Sequence, residues 1–465
     1  MTRTPNVVLI NCDDLGFGDL GCYGSTRNAT PVLDQLATDG IRFDSFYTAS
    51  PVCSPARAAL LTGCYPPRIG FGDFDGLPVL FPGMGLGLPP SETSIASVLS
   101  DAGYATQAIG KWHCGDQPHF LPTNHGFDHY FGLPYSNDMG RQAEPPEIIG
   151  VLPPLPLIVD GEVIEQQPDQ ASLTERYVAN ALDFVRSAGD RPFFLYLAHM
   201  YVHLPIYVQR RFAEQSSNGA YGAAVESIDW ATGVILAELD ALGIADDTIV
   251  IFTSDNGSLG DNPPPWGSSE PLGGSNGPLR GTKGATWEGG QRVPGIIRWP
   301  RRIDAGRVSS EIVTAMDLYP TLAGLCGAQV PSDRMIDGRD ITPVLFDDGP
   351  SPHEAFFYYW MNDLEAVRAG RWKLHFSKRG KARAALYDLE VDIGETTDVI
   401  HDHPTIVAEL NSLADGARRA LGDRRLGQDG SEVRPVGRVE HPVPLTTYDP
   451  HHPYVVAEYD LPDRG

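Results

Sequence analysis

Apolar residues recur along the chain in short unbroken runs, each ending in a polar cluster. Val7-Val8-Leu9-Ile10 runs into Asn11-Cys12-Asp13-Asp14, and Tyr104 to Ile109 into Gly110-Lys111-Trp112-His113. Phe193 to Leu197 leads toward His199 and His203, and Ile249-Val250-Ile251-Phe252 into Thr253-Ser254-Asp255-Asn256. Runs of this kind suit strands buried on both faces, as in a parallel sheet. Helical patterns separate them. In Thr93 to Leu99, Ile95, Val98 and Leu99 share a face, and Gly103 closes the helix. In Tyr221 to Leu242, Val225, Ile228, Ile235 and Leu239 are expected to face inward. The alternation predicts a large α/β sandwich with a mostly parallel central sheet. Ligands in such folds bind beyond the carboxyl ends of the strands. The four polar clusters are therefore expected to meet at one edge.

Two Gly/Pro-rich loops, Gly70 to Pro90 and Gly257 to Gly290, are long enough to suggest function, and the second is expected to form a pocket wall. Met316 to Leu322 begins a helix near the close of this large domain, residues 1–345. The pattern then changes. His353 to Trp360, Glu365 to Ala369, Trp372 to Phe376 and Ala385 to Leu389 read as an antiparallel meander, and Thr405 to Leu421 as a helix packed on it. Residues 346–421 are thus a smaller C-terminal α+β domain. Residues 422–465 are polar and Pro-rich, and are expected to lie on the surface as an extended tail; solvation is the expected state of its histidines.

With 465 residues the chain can bury a large core. Its net charge is −25, from 60 acidic and 35 basic residues, which argues against nucleic acid or an anionic membrane as the partner. A local cluster of Arg, Lys and His can still reverse the potential inside one pocket. Met1-Thr2-Arg3-Thr4-Pro5 leads directly into the first apolar run, and no stretch approaches the ~20 apolar residues of a membrane span. A soluble, cytoplasmic protein without a signal peptide is the expectation. None of the six cysteines forms a Cys-x-x-Cys pair, so no zinc–thiolate site is expected. Cys12, Cys22, Cys64, Cys114 and Cys326 read as small packing residues.

Cys53 is different. It opens Cys53-Ser54-Pro55-Ala56-Arg57-Ala58-Ala59-Leu60-Leu61-Thr62-Gly63. Pro55 suits the first turn of a helix, Ala56 to Leu61 are good helix formers, and Gly63 is a natural stop. Cys53 then sits at a helix N-terminus, where backbone N–H groups attract an anion, and Arg57 adds a fixed positive charge on the same side. Asp13, Asp14, Asp255 and Asn256 offer only oxygen ligands at two strand ends, a set that suits Ca²⁺ or Mg²⁺. Lys111 and His113 are two apart, so in extended chain both face one way.

Cys53-Ser54-Pro55-Ala56-Arg57 resembles the Cys-x-Pro-x-Arg motif of the sulfatase family, the signal for oxidising cysteine to formylglycine. Asp13-Asp14-Leu15-Gly16-Phe17-Gly18-Asp19 and Gly110-Lys111-Trp112-His113 are similar to further blocks of that family. The resemblance implies an alkaline phosphatase-like fold and one divalent cation. Ca²⁺ is expected, with Mg²⁺ the alternative, held by Asp13, Asp14, Asp255, Asn256 and the modified Cys53. It implies that Arg57, Lys111 and Lys283 orient the sulfate, that His113 acts on the nucleophile's hydroxyl, and that His203 is the general acid. Ser136 is implied near the substrate, with His199 left as a supporting or packing residue. The implied activity is arylsulfatase-like hydrolysis of an aryl or carbohydrate sulfate ester, after maturation by a formylglycine-generating enzyme. A phosphodiester or phosphonate monoester hydrolase using the same site is the alternative. A noncatalytic calcium-binding protein with unmodified Cys53 is the alternative from another class.

Overall fold

The four apolar runs form neighbouring strands at the centre of an 11-stranded sheet. The computed structural model describes residues 4–141, 152–260 and 272–454. Across the sheet the order is Arg307–Ser309, Ile41–Tyr47, Arg292–Arg298, Thr248–Ser254, Asn6–Cys12, Phe193–Ala198, Ala105–Lys111, His129–Leu133, Pro156–Val159 and Glu162–Gln166. Val313–Thr314 also pairs with Ile41–Tyr47. From Thr248–Ser254 to His129–Leu133 all pairings are parallel. Arg292–Arg298 is antiparallel to both neighbours, so it begins at the edge where the parallel strands end. The residues just before it, Glu288–Gln291, therefore reach that same edge.

Each central strand feeds two cores. Val7 and Leu9 join Ile249, Ile251, Phe194 and Tyr196 on one face, under helices that contribute Leu60, Ile95 and Leu318. Val8 and Ile10 join Val250, Phe252, Leu195 and Leu197 on the other, under helices Leu173–Ala188 and Gly219–Ala241. Val225, Ile228, Ile235 and Leu239 are all buried there. Adjacent residues of a strand point to opposite faces, so burial on both sides requires an unbroken apolar run. The predicted helix at 93–99 is Ile95–Asp101, capped by the Ser94 hydroxyl on the Ser97 N–H.

Four consecutive strands, Phe356–Trp360, Asp363–Ala369, Trp372–Lys378 and Lys381–Asp388, form the antiparallel C-terminal sheet. Helix Pro404–Leu421 buries Leu410, Ala414, Ala417 and Leu421 against it. Tyr47, Ala59 and Tyr65 of the large domain share that core.

The described part of the tail is packed on the large domain. Gly437–Arg438 pairs with Leu86–Gly87, the Arg434 guanidinium is held by both carboxylate oxygens of Glu92, and Thr446 is buried. His451 and His452 are exposed, and residues 455–465 lie outside the described residues, as do 261–271 of the second long loop. Among the other cysteines, Cys12, Cys64, Cys114 and Cys326 are buried, whereas Cys22 is only half-buried. Among the described residues, no helix is long and apolar enough to cross a membrane.

Candidate active site

Cys53 is the first residue of helix Cys53–Thr62, all of it buried. Gly63 ends the helix at φ 68°, donating its N–H to the Ala59 carbonyl; a Cβ there would also strike Ile336. The helix start faces the ends of the parallel strands. The Cys53 Sγ lies 3.4 Å from Asp13 Oδ1. Asp13, Asp14, Cys53 and Asp255 each offer one ligand atom, and these atoms all lie within 4.8 Å of one another. The register explains the convergence: Cys12 is level with Ser254, so Asp13 and Asp255 leave adjacent strands together. Two site residues, Asp14 at φ 63° and His113 at φ 59°, sit in the left-handed region that non-glycine residues seldom adopt. Such conformations persist where surrounding structure imposes them, and they cluster at active sites.

The cations interlock with the carboxylates. Lys111 Nζ donates to Asp13 Oδ2 at 2.5 Å and Lys283 Nζ to Asp14 Oδ2 at 2.7 Å. Arg57 Nε donates to Asp255 Oδ2 at 2.8 Å, and another of its nitrogens to the Lys111 carbonyl at 2.9 Å. Asn256 donates to Asp14 Oδ1 at 2.7 Å, while its own Oδ1 is buried without a partner. His203 Nε2 stands 3.9 Å from Asp14 Oδ2. The Arg57 and Lys111 side chains are 0 % exposed, against 14 % for Lys283 and 12 % for His203. The last two therefore form the rim that meets solvent. The Arg57 guanidinium lies beneath the carboxylates, bonded to Asp255 and to the Lys111 carbonyl.

The titrations follow from this packing. Burial would raise Asp13, but Lys111, His203 and Arg57 outweigh it and hold its carboxyl well below the usual range. Burial pushes Asp255 up to about 6, with Arg57 opposing and Asp13 adding to the shift. Burial, and then Asp13, hold the Cys53 thiol far above its ordinary value, so little thiolate forms at neutral pH. Burial and then Lys111 keep His113 neutral. Its Nε2 is 2.9 Å from the Leu80 carbonyl, which can only accept, so Nε2 carries the proton. The buried Nδ1 has no partner and keeps its lone pair.

Asn256 Oδ1 and the clustered carboxylates fit a hard divalent cation: they are oxygen donors, one of them orphaned, packed closer than like charges tolerate alone. Cys53 is the misfit, a soft thiol in an oxygen set. An oxygen-bearing side chain at position 53 would remove the mismatch. His199 is buried, its Nε2 without a partner, and burial pushes it down to about 4. Ser136 is buried at the same sheet edge, before the turn Asn137–Met139.

Sequence reasoning missed the supports. The Leu80 N–H is held by Ser54 Oγ at 3.1 Å, which links the long first loop to the cysteine motif and to His113. Asp19 receives the Gly16 and Ser275 N–H groups and the Tyr221 hydroxyl, joining the acidic loop to the second long loop. The Gly284 N–H reaches the Pro51 carbonyl at 2.7 Å. Asp19 was visible in its motif; contacts to backbone carbonyls leave no trace in side-chain identity.

The family model "Sulfatase" matches residues 5–328, and "N-sulphoglucosamine sulphohydrolase, C-terminal" matches residues 282–416. Arylsulfatase A of Homo sapiens is 39% identical over 443 residues, covering 86% of this chain and 84% of the relative. N-acetylgalactosamine-6-sulfatase of Canis lupus familiaris is 42% identical over 394 residues, covering 80% and 72%. The crystal structure of Ps i-CgsB in complex with k-i-k-neocarrahexaose superposes with a TM-score of 0.76 at 31% identity, covering 89% of this chain and 92% of that one.

Proposed function

The chain belongs to the sulfatase family and is a sulfuric ester hydrolase, and from that premise we propose that it cleaves an aryl or carbohydrate sulfate using an oxidised Cys53 and one bound Ca²⁺. The observation that carries this reading is the placement of Cys53 Sγ among the carboxylates of Asp13, Asp14 and Asp255. Three carboxylates and the three cations Arg57, Lys111 and Lys283 balance. A divalent ion held by Asp13, Asp14, Asp255 and Asn256 would leave the site net positive, which suits a sulfate ester.

When bound, the cation supplies charge stabilisation for the sulfate oxygens and for the attacking oxygen. A hydrated aldehyde at position 53 supplies one hydroxyl to attack sulfur and a second by which the side chain can release sulfate. Lys111 and Lys283, anchored on Asp13 and Asp14, hold the anion and meet charge developing on its oxygens. Arg57 fixes Asp255 and the end of the strand carrying Lys111. The free Nδ1 of His113 accepts a proton from the hydroxyl at position 53. His203, on the solvent-facing rim with Nδ1 on the Leu204 carbonyl, offers Nε2 to the leaving oxygen.

Peptide mass spectrometry on protein made with a formylglycine-generating enzyme tests this reading, together with sulfate release from 4-nitrophenyl sulfate. An aldehyde at position 53 with turnover is expected. A plain thiol in fully active protein, or a clear preference for a nitrophenyl phosphodiester, would overturn it.

A further inference from the structure

The hairpin Trp372–Lys378/Lys381–Asp388 ends beside the active-site loop, and its tip is basic. Ser377-Lys378-Arg379-Gly380-Lys381-Ala382-Arg383 holds four cations and no acid in a chain of net charge −25. The Arg379 guanidinium donates to the Gly284 carbonyl, one residue from Lys283, and Lys378 Nζ donates to Thr286 Oγ1 at 2.7 Å. Trp287, in the same loop, is flanked by Arg280 at 3.9 Å, Lys378 at 4.2 Å and Arg383 at 5.0 Å from its ring centroid. The tip therefore continues outward from the positive rim at Lys283.

These charges are arranged at a cost. Lys378 and Lys381 are direct cross-strand partners, and like charges placed opposite destabilise a sheet. Burial and Lys373 push Lys378 down to about 7, although Glu365 and Glu395 beneath the tip oppose the shift. Many other exposed arginines are paired, Arg186 with Glu238, Arg210 with Glu214 and Arg371 with Asp388. Among the described residues, neither Lys381 nor Arg383 pairs with a carboxylate, and both are exposed. Screening cuts off the rest of the acidic chain beyond ~8 Å, so a ligand at the tip meets the local positive field.

We propose that Arg280, Lys378, Arg379, Lys381 and Arg383 form a second anion subsite, which takes a further sulfate or carboxylate of a polyanionic saccharide whose scissile sulfate lies at Cys53. Trp287 is buried beneath these cations, packed on His375 and Tyr387, and serves as the base that holds Arg280, Lys378 and Arg383 together. This rests on the sulfate-ester reading above, and it narrows the substrate from any sulfate ester to a polyanionic chain.

The test uses matured full-length enzyme and the double variant Lys381→Glu/Arg383→Glu, assayed on 4-nitrophenyl sulfate and on disulfated and monosulfated forms of one disaccharide. The wild type is expected to prefer the disulfated sugar, with kcat/KM falling as salt rises. The variant should lose about tenfold in kcat/KM on that sugar, mostly through KM, with its salt dependence flattened and nitrophenyl sulfate turnover within about twofold. No preference for the disulfated sugar in the wild type, or an equal loss on all substrates, would overturn the subsite. Failure of the wild type on every sulfate ester would overturn the underlying hydrolase reading instead.

Discussion

Two buried charge networks lie on either side of the loop that carries Lys283 and Glu288. In the first, Asp13, Asp14 and Asp255 face Arg57, Lys111 and Lys283. In the second, Glu288 and Glu395 face Lys373, Arg368 and Arg292 between the two domains. The second is closed at its carboxylates, although His375 Nδ1 is buried there without a partner. One oxygen of Glu288 receives Tyr358 OH and Lys373, the other Tyr47 OH and Arg292. Glu395 takes the Glu288 N–H at 2.8 Å, His375 at 2.8 Å and Lys373 at 3.0 Å. Burial would raise Glu288, but Lys373, Arg368 and Arg292 overcome it and hold the carboxyl low. The first network is left open. Asn256 Oδ1 and His113 Nδ1 have no partners, and Lys283 and His203 meet solvent, whereas Lys373, Glu288 and Glu395 are wholly buried. Similar groups thus serve opposite ends. A network whose carboxylates are all taken by protein and sealed from water fastens domains, whereas one that opens to solvent with an oxygen donor unused is shaped for a ligand.

The comparison is broken most directly at Cys53. Cys53→Ala is expected to lower kcat/KM on 4-nitrophenyl sulfate by about 10⁴-fold, the scale on which lost nucleophiles are measured. Its Tm should move by no more than ~2–4 °C. A large drop in Tm with turnover retained would place Cys53 with the structural network instead.

The complementary break is Lys373→Met. It leaves Glu288 and Glu395 buried without their shared cation, and should cost about 3–5 kcal/mol, read from urea midpoints. Activity per folded molecule should change far less than in the Cys53 variant. Loss of activity at unchanged stability would mean that the closed network belongs to the reaction.

Chelation sharpens the contrast without mutation. Removing the divalent ion returns the open network to charge balance, so turnover should vanish and return with Ca²⁺. Excess Ca²⁺ should stabilise the protein by about 2.7 kcal/mol at a hundred times Kd, read as a rise in Tm. A chelated enzyme that stays fully active would remove the cation from the proposed chemistry.

Much of the open network was legible because its chemistry depends on rare side chains at strand ends. Asp13-Asp14, Lys111 with His113, and Asp255-Asn256 each follow an apolar run, and a parallel sheet brings such ends together. The closed network was hidden. Glu288 sits in a Gly-rich stretch that reads as loop, and its partners Tyr47, Arg292, Tyr358 and Lys373 are scattered over the chain with no shared motif. Only the antiparallel entry of Arg292–Arg298 and the docking of the second sheet bring them together. The tail's attachment was less legible for another reason. Its hold on the large domain comes from backbone pairing at Leu86–Gly87, which polar, Pro-rich composition does not advertise.

Asp19 tests how the open network is supported, with the smallest effect. Burial pushes its carboxyl up to about 7, although the Tyr221 hydroxyl and the Gly16 and Ser275 N–H groups all stabilise the anion. In the unfolded chain this carboxyl ionises near its ordinary value of 3.8. Between these two values the folded state binds more protons than the unfolded state, so stability falls as pH rises. Below that window both states are protonated and the contribution is constant; above it both are ionised and the loss is complete. Asp19→Asn cannot ionise, so the difference between wild-type and variant Tm should change steadily from pH 4 to 7 and level off outside. Asp229 and Asp255 are also raised, each to about 6, but they are present in both proteins and cancel in that difference. A parallel pair of Tm curves would show that the three hydrogen bonds keep Asp19 ionised throughout, making it a fixed anion in the support of the open network.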